Sequence, residues 1–340
     1  MKAMAKTPGV AVLRREFIGI LAGAMLPPAA RAQTSGGGMR HLGVLAVTAA
    51  GDQVGEVRTA VLVEALAALD WKEAGNLRID WRHGGGDRTR IAEFAAELVA
   101  LSPDVLVAVG TPCVEELRRR TSTIPIVFAV VTDPVDQGFV ASLAHPGGNI
   151  TGFTDYDGPM AGKWLEMLTE ITPPAAHVAV LYNPATAPFA HLMLRTMREA
   201  APSLAVTVRD TPVHDRAGIA AIVAALAADT NMALLVLPDF FTFANRALIL
   251  AAAAEANLPA VYWNRAFVAD GGLMSYGTDN DDLSRRAAAY VDRILRGAKP
   301  GELPVQNPTK FDLTINLRAA RTLGVTISPS LLATADEVIE

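Results

Sequence analysis

Residues 104–134 read DVLVAVGTPCVEELRRRTSTIPIVFAVVTDP, and this stretch decides the architecture. An apolar run at 104–110 ends in Gly-Thr-Pro, a helix follows from Pro112 to Arg120, and a second apolar run occupies 124–130. Runs this short, bounded by turn residues, are strands buried on both faces. Thr followed by Pro at a first helical position is a helix-start signal. The unit is therefore strand, helix, strand, with the two strands parallel.

The same rhythm continues outward in both directions. Upstream lie HLGVLAV (41–47), a helix from about Val54 to Leu69, LRIDW (77–81) and a helix from Thr89 to Leu101. Four short strands alternating with helices predict a parallel sheet covered on both faces. Downstream, past the turn-rich Pro146-Gly147-Gly148-Asn149, the pattern restarts. AHVAVLYNP (176–184), SLAVTVRD (203–210), MALLVLPD (232–239), LPAVYW (258–263) and GGLMSYG (271–277) are the expected strands there. Asp279, Asp281 and Asp282 open a further helix to about Gly297, where acidic residues complement the helix dipole and read as caps rather than metal ligands. FDLTINL (311–317) alternates like an edge strand. The expected fold class is α/β, two doubly wound parallel-sheet lobes joined by a hinge. The first lobe is placed at 40–150 and the second at 151–277, with a tail at 278–340 returning to the first lobe. Junctions near Thr151 and Ser275, with strand 311–317, are expected to form the hinge.

The first 32 residues read as a secretory signal peptide cleaved near Ala32. Lys2, Lys6, Arg14 and Arg15 precede an apolar run from Phe17 to Leu26, and a small-residue site follows Pro27-Pro28. LRREFIG resembles a twin-arginine export signal but departs from it at Leu13 and Gly19, which leaves both export routes open. Removing residues 1–32 takes away five basic residues and one acidic, leaving 25 basic against 34 acidic, a balance of −9. A periplasmic location and an acidic mature chain follow.

Composition excludes several classes. The chain has 340 residues, 51% of them hydrophobic, and mean hydropathy is +0.28; disorder does not produce such numbers. Acidic residues outnumber basic ones and no basic face is concentrated, so nucleic acid is not an expected partner. One cysteine excludes an internal disulfide and a multi-cysteine metal site. The six histidines lack ligand spacing, and no Walker A, G-x-G-x-x-G, G-x-S-x-G or H-E-x-x-H motif occurs, so no metal, cofactor or catalytic residue is expected. Cys113 opens a helix, a position that favours the thiolate; a small buried side chain is the plainer role.

In open parallel sheets, ligands lie beyond the carboxyl ends of the strands. The candidates are Thr48 to Gly51, Gly110 to Pro112, Thr132 to Pro134, Asn183 to Thr186, Pro238 to Phe241, and Trp263 to Arg265. Aromatic residues concentrate here too: seven of the 20 Phe, Trp and Tyr lie between Phe240 and Tyr276. Ring surface at the mouth of the second lobe is what an apolar ligand would meet.

Longer motifs carry a resemblance. RREFIGILAG, DWKEAGNLRIDWR, SPDVLVAVGTP, TIPIVFAVVTDPVDQGFVASLAHPGGNITGF, LYNPATAP, VLPDFF, GGLMSYG, YVDRILRGAKPGELPVQNPTKFDLTINL and SLLATADEVIE span the chain. Together they resemble the ABC-transporter substrate-binding proteins of the family containing tryptophan and tyrosine binders. The resemblance implies a type 1 periplasmic-binding-protein fold whose lobes close on a small ligand. It implies delivery to a membrane permease driven by a separate cytoplasmic ATPase, with no nucleotide or other cofactor on this chain. Implied ligand contacts are Thr48, Ala49, Thr111, Pro112, Thr132 and Asp133 in the first lobe. In the second they are the segment Phe153 to Tyr156, with Thr154 and Tyr156 singled out, and Tyr182, Asn183, Asp239, Phe240 and Tyr276. The ligand carboxylate would meet Thr111, an ammonium Asp133 or Asp239, and rings such as Phe240 and Tyr156 its apolar part.

The sequence departs from the family pattern at AVTAAGDQVGE, at TPCVEELRRR with Cys113, Glu115 and Glu116, and at YWNRAFVADGG with Asn264 and Arg265. Arg265 joins the candidate contacts as a mark of an acidic ligand. The expected activity is binding of an amino acid or small carboxylate for import, by a monomer. The alternatives are a ligand sensor for a membrane receptor and, from another class, a secreted α/β enzyme using Cys113.

Overall fold

Helix caps set the rhythm that the apolar runs suggest. The computed structural model describes residues 38–156, 158–172, 177–229 and 231–340; the signal peptide expected at 1–32 lies outside them. β1 (Arg40–Ala46) leads into α1 (Gln53–Ala68), where the Asp52 side chain accepts from the Gly55 N–H. β2 (Leu77–His83) leads into α2 (Arg88–Ala100), capped by Asp87 in the same way. β3 (Val105–Val109), α3 (Thr111–Arg120) and β4 (Ile126–Val131) follow as 104–134 predicts.

A fifth strand, β5 (Ile150–Thr154), corrects the expected count of four. Its sequence, ITGFT, carries a glycine that weakens the strand signal. The glycine is there because of packing: a Cβ on Gly152 would lie 2.1 Å from the Phe128 carbonyl oxygen. All pairings are parallel, in the order β2-β1-β3-β4-β5.

The second lobe repeats this plan. α4 (Gly158–Ile171), β6 (His177–Tyr182), α5 (Ala190–Ala200), β7 (Thr207–Pro212), α6 (Arg216–Leu226) and β8 (Met232–Val236) come first. α7 (Phe240–Ala244), α8 (Arg246–Glu255), β9 (Ala260–Tyr262), α9 (Arg265–Ala269) and β10 (Met274–Thr278) complete it. Its parallel core runs β7-β6-β8-β9-β10, the first-lobe order over again.

The tail divides between the lobes, which corrects the expectation that all of 278–340 returns to the first. α10 (Asn280–Leu295) is capped by Asp279, whose side chain accepts from the N–H groups of Asp281 and Asp282. Its apolar face (Leu283, Ala287, Val291) joins Leu62 and Leu66 of α1 over the first sheet. On the opposite face, Ile91 and Leu98 of α2 and Leu117 of α3 pack. The chain stays with the first lobe to Gln306, where Thr151 donates to the Leu303 carbonyl at 2.6 Å and the Val305 N–H to that of Leu143 at 2.7 Å.

β11 (Phe311–Asn316) then pairs antiparallel with β10, in register from Met274↔Ile315 to Thr278↔Phe311. α11 (Leu317–Leu323), α12 (Pro329–Ala333) and β12 (Glu337–Ile339) follow on the second lobe, β12 extending its sheet beside β11. An alternating strand with one apolar face finds its ladder partner on the open edge of β10, not in the first sheet.

The chain therefore crosses between lobes between Thr154 and Gly158, at Asp279, and between Gln306 and Phe311. Thr151 and Ser275, where the junctions were expected, sit inside strands β5 and β10. The crossings are tied together. Thr154 donates to the Asn307 side chain at 3.0 Å, Thr278 to the Asp155 carbonyl at 2.5 Å, and the Asp279 N–H to the Lys310 carbonyl at 3.2 Å. The Tyr156 hydroxyl donates to the Trp263 carbonyl at 2.7 Å, under a chain so close that a Cβ on Gly277 would lie 1.9 Å from that carbonyl oxygen.

Candidate ligand-binding cleft

Strand order reverses between β1 and β3 in one lobe and between β6 and β8 in the other, and a crevice opens at the carboxyl ends of such strands. Residues from these ends meet. From the first lobe come Thr111 and Pro112 at the start of α3, Val130 and Thr132 at the end of β4, and Asp155 in the first crossing. Facing them are Thr186, Phe189, Asp239, Phe240 and Trp263 of the second lobe. The space between the walls is about 10 Å³, the size of a single water. A larger ligand requires the lobes to part.

Contacts across the cleft are specific. Phe240, at the start of α7, packs onto both apolar clusters of the first lobe. It lies over Gly110, where φ is 97° and a Cβ would stand 2.8 Å from the Phe240 ring, so that only glycine fits both demands. Val54 of α1 reaches the second-lobe core in the opposite sense. Arg88 of α2 donates to the Ala185 carbonyl at 2.8 Å and to Glu115 at 2.5 Å.

Two buried carboxyls face this space. Asp155 is 4% exposed, and its Oδ1 accepts from the Thr132 hydroxyl and the Tyr156 N–H, both at 2.8 Å. Burial pushes its pKa up to about 6 against the pull of those bonds and of Arg58. Asp239 caps α7: it accepts from the N–H groups of Phe241 at 2.9 Å and Asn183 at 2.7 Å, and from the Thr186 hydroxyl. Burial raises it to about 6 as well.

Of the residues expected at the site, the structure brings Thr111, Pro112, Thr132, Asp239 and Phe240 to the cleft. No side chain caps α3, so its start at Thr111 stays open to that space. Tyr156 is adjacent but buried against Trp164 and Trp263. Thr48 is buried on the first-lobe side of α1, lining a cavity with Arg58, while Ala49 is an exposed turn residue. Asp133 follows Thr132 in the left-handed region, at φ 45°.

The others are directed elsewhere. Thr154 belongs to the first sheet and is spent on Asn307. Tyr182 points to Asp210 of β7, and Asn183 binds the Ala185 N–H and the His214 carbonyl. Tyr276 stacks on Phe311, ring centroids 5.7 Å apart. Arg265 is two-thirds exposed and 4.0 Å from Glu337 at the outer edge of the second sheet, outside the residues that line the cleft.

Asp155 lies within 153–156, a stretch that the family resemblance implies as ligand contacts, whereas Arg58 is not foreseen. Asp155 follows a strand end, and the rule that nominated the other loops would have found it had β5 been recognised. Arg58 sits mid-helix among residues that carry no such signal.

Cys113 is fully buried, and burial pushes its thiol up, the reverse of what a nucleophile needs. Among the described residues no group of three His, Cys, Asp or Glu could hold a metal. Glu115 and Glu116, the charges unusual for the family, pair with Arg88 and with Arg119 and Arg120.

A two-lobed clamp with candidate binding groups on both walls and, among the described residues, a single cysteine that is buried and protonated invites comparison with known families. The model described as ABC transporter substrate binding protein matches residues 45–339. The chain belongs to that family. It is the substrate-binding component of an ABC transporter, not an enzyme, and its fold is that of type 1 periplasmic binding proteins. A relative from Clostridioides difficile (strain R20291), named tyrosine-binding protein, is 26% identical over 254 residues, covering 75% of this chain and 72% of its own. Among solved structures, a conserved domain protein from Vibrio cholerae superposes with a TM-score of 0.82 at 30% identity, covering 88% of this chain and 99% of that one. A Streptococcus pneumonia ABC domain in complex with L-Trp also gives 0.82, at 26% identity, covering 88% and 100%.

Proposed function

We propose that this substrate-binding component captures an aromatic amino acid outside the cytoplasm and presents it to the permease of an ABC importer powered by a separate ATPase. The observation that carries the reading is the pairing, in one cleft, of ring surface (Phe189, Phe240, Trp263) with a buried carboxyl, Asp155, whose Oδ2 receives no hydrogen bond from another described residue. Rings cover an apolar side chain and the carboxyl meets an ammonium. The tyrosine-binding relative and the L-Trp complex support the same ligand class. The basic, apolar and small-residue sequence of 1–32 supports export.

Closure is hinge motion about the three crossings, with Thr154, Tyr156, Thr278 and Asn307 holding the strands in step. Ligand enters as the lobes part and is held by contacts from both at once. The test is a thermal-shift and calorimetric screen of residues 33–340, which contain the compact unit Gly38–Glu340, against the common amino acids and small carboxylates. At 100 times its dissociation constant a true ligand adds about 2.7 kcal/mol of stability. Binding of L-tryptophan or L-tyrosine is expected, and a flat response to every aromatic amino acid overturns the reading.

A further inference from the structure

A buried cation with unfinished hydrogen bonding stands beside the cleft. Arg58 projects from α1 and is 7% exposed, yet its Nε has no hydrogen-bond partner. It lines a cavity of about 30 Å³ between α1, α10 and the ends of β1 and β3, together with Thr48, Trp81 and Ser284. Its charge interacts with Asp281, Tyr156, Asp52 and Asp155, but no carboxylate of the described residues closes to an ion pair with it. Burial holds its pKa below the ordinary value. A buried guanidinium N–H without an acceptor is costly to keep.

Two neighbouring groups are incomplete in the same way. Asn280, at the start of α10 next to Asp281, is 5% exposed, and neither its amide nitrogen nor its amide oxygen is partnered. Trp263, which lines the cleft with Asp155, is 2% exposed with an unpartnered Nε1. These unmet donors and acceptors cluster around the crossings, where Asp155 lies, and not at the start of α3.

We propose that Arg58 is the counter-ion for the α-carboxylate of the bound ligand, assisted by Asn280, while Asp155 receives its ammonium. The inference rests on the amino-acid reading above and narrows it to zwitterionic α-amino acids, with amines and aromatic acids that lack one of the two charges rejected. Three carboxyls, Asp52, Asp155 and Asp281, act on a single arginine, so an ammonium relieves the excess of negative charge. A carboxylate completes the guanidinium fork in the two-bond geometry that suits arginine. The helix start at Thr111 offers about half a unit charge and Arg58 a whole one.

Calorimetric titration of residues 33–340 with L-tryptophan, L-tyrosine, their amides and the corresponding amines tests this. Wild-type protein is expected to bind the amides and give up roughly 100-fold in affinity relative to the acids. Arg58→Met fills the same space without charge; it is expected to lose roughly 100-fold toward the acid and little more toward the amide, whose partner is already gone. Arg58→Lys restores part of the loss, keeping charge without the fork.

Equal affinity of wild type for acid and amide overturns the proposal, whether or not Arg58→Met folds. So does a folded Arg58→Met, checked by circular dichroism, that holds the acid within about threefold of wild type. If wild type binds L-tryptophan and Arg58→Met does so equally, only this assignment falls. If wild type binds neither amino acid, the functional reading falls and takes this assignment with it.

Discussion

Asp155 and Asp239 each lie past the end of a sheet strand, β5 in one lobe and β8 in the other, each faces the same cleft, and burial raises both to about 6. Their hydrogen bonds differ. Asp239 gives both oxygens to its own lobe: one to Thr186 and the Phe241 N–H, the other to the Asn183 N–H. Asp155 accepts both of its bonds on Oδ1. A titration shift alone would rank the two as equal candidates for a ligand ammonium; the count of spent lone pairs separates them. Asp239 is a helix cap that holds the second-lobe loops together, and Asp155 is the carboxyl with an acceptor to spare.

Substitution should split the pair. Asp239→Ala strands two N–H groups and a hydroxyl in a buried setting and removes a cap, and is expected to cost about 3 kcal/mol of unfolding free energy in urea denaturation. Loss below about 1 kcal/mol would mean that those donors find other partners.

The pH dependence is of the same size for each carboxyl. Each carboxyl has a folded pKa near 6 against an ordinary 3.8, so the folded state binds the proton more tightly than the unfolded one. The stability this contributes is complete below about pH 3.8 and is lost as pH rises through about 6, on the order of 3 kcal/mol per group. Ligand-free protein is expected to show this falling component between pH 4 and 7, while amino-acid affinity rises over the same range as Asp155 ionises. Parallel slopes in the two measurements would remove Asp155 from the site.

Asp155→Asn sharpens the contrast further. The amide keeps an oxygen for Thr132 and Tyr156 and discards the buried charge, so ligand-free stability at pH 7 should hold or rise. Affinity for an amino acid should fall roughly 30-fold by calorimetry, with the pH dependence of binding flattened. Smallest of all is the latch between the lobes. Arg88→Ala removes a half-exposed ion pair with Glu115 and the bond to the Ala185 carbonyl, and is expected to speed ligand release about threefold in stopped-flow measurements, with unfolding unchanged within about 0.5 kcal/mol.

Much of this architecture is legible in the chain. Apolar runs such as VLVAV and MALLV are strands because both faces of a parallel sheet are covered, and Asp52, Asp87 and Asp279 start helices because a side-chain oxygen meets free N–H groups there. Where local pattern and packing disagree, reading fails. ITGFT, where a junction near Thr151 is expected, is instead a strand whose glycine answers to Phe128, a residue on the neighbouring strand. The site was partly visible: strand ends nominate Thr111, Thr132, Asp239 and Phe240, while the resemblance adds Tyr182 and Tyr276, whose rings are engaged by Asp210 and Phe311 away from the cleft.

Two α/β lobes, an acidic chain and candidate ligand residues at the strand ends can be read locally, since periodicity, caps and charge are local properties. Only tertiary structure decided which lobe receives β11, which carboxyl keeps a free oxygen, and that Arg58 is buried without an ion pair. These depend on which surfaces meet when distant segments pack, and a hydrogen bond between residues more than a hundred positions apart, such as Thr278 to the Asp155 carbonyl, leaves no periodic trace in either segment.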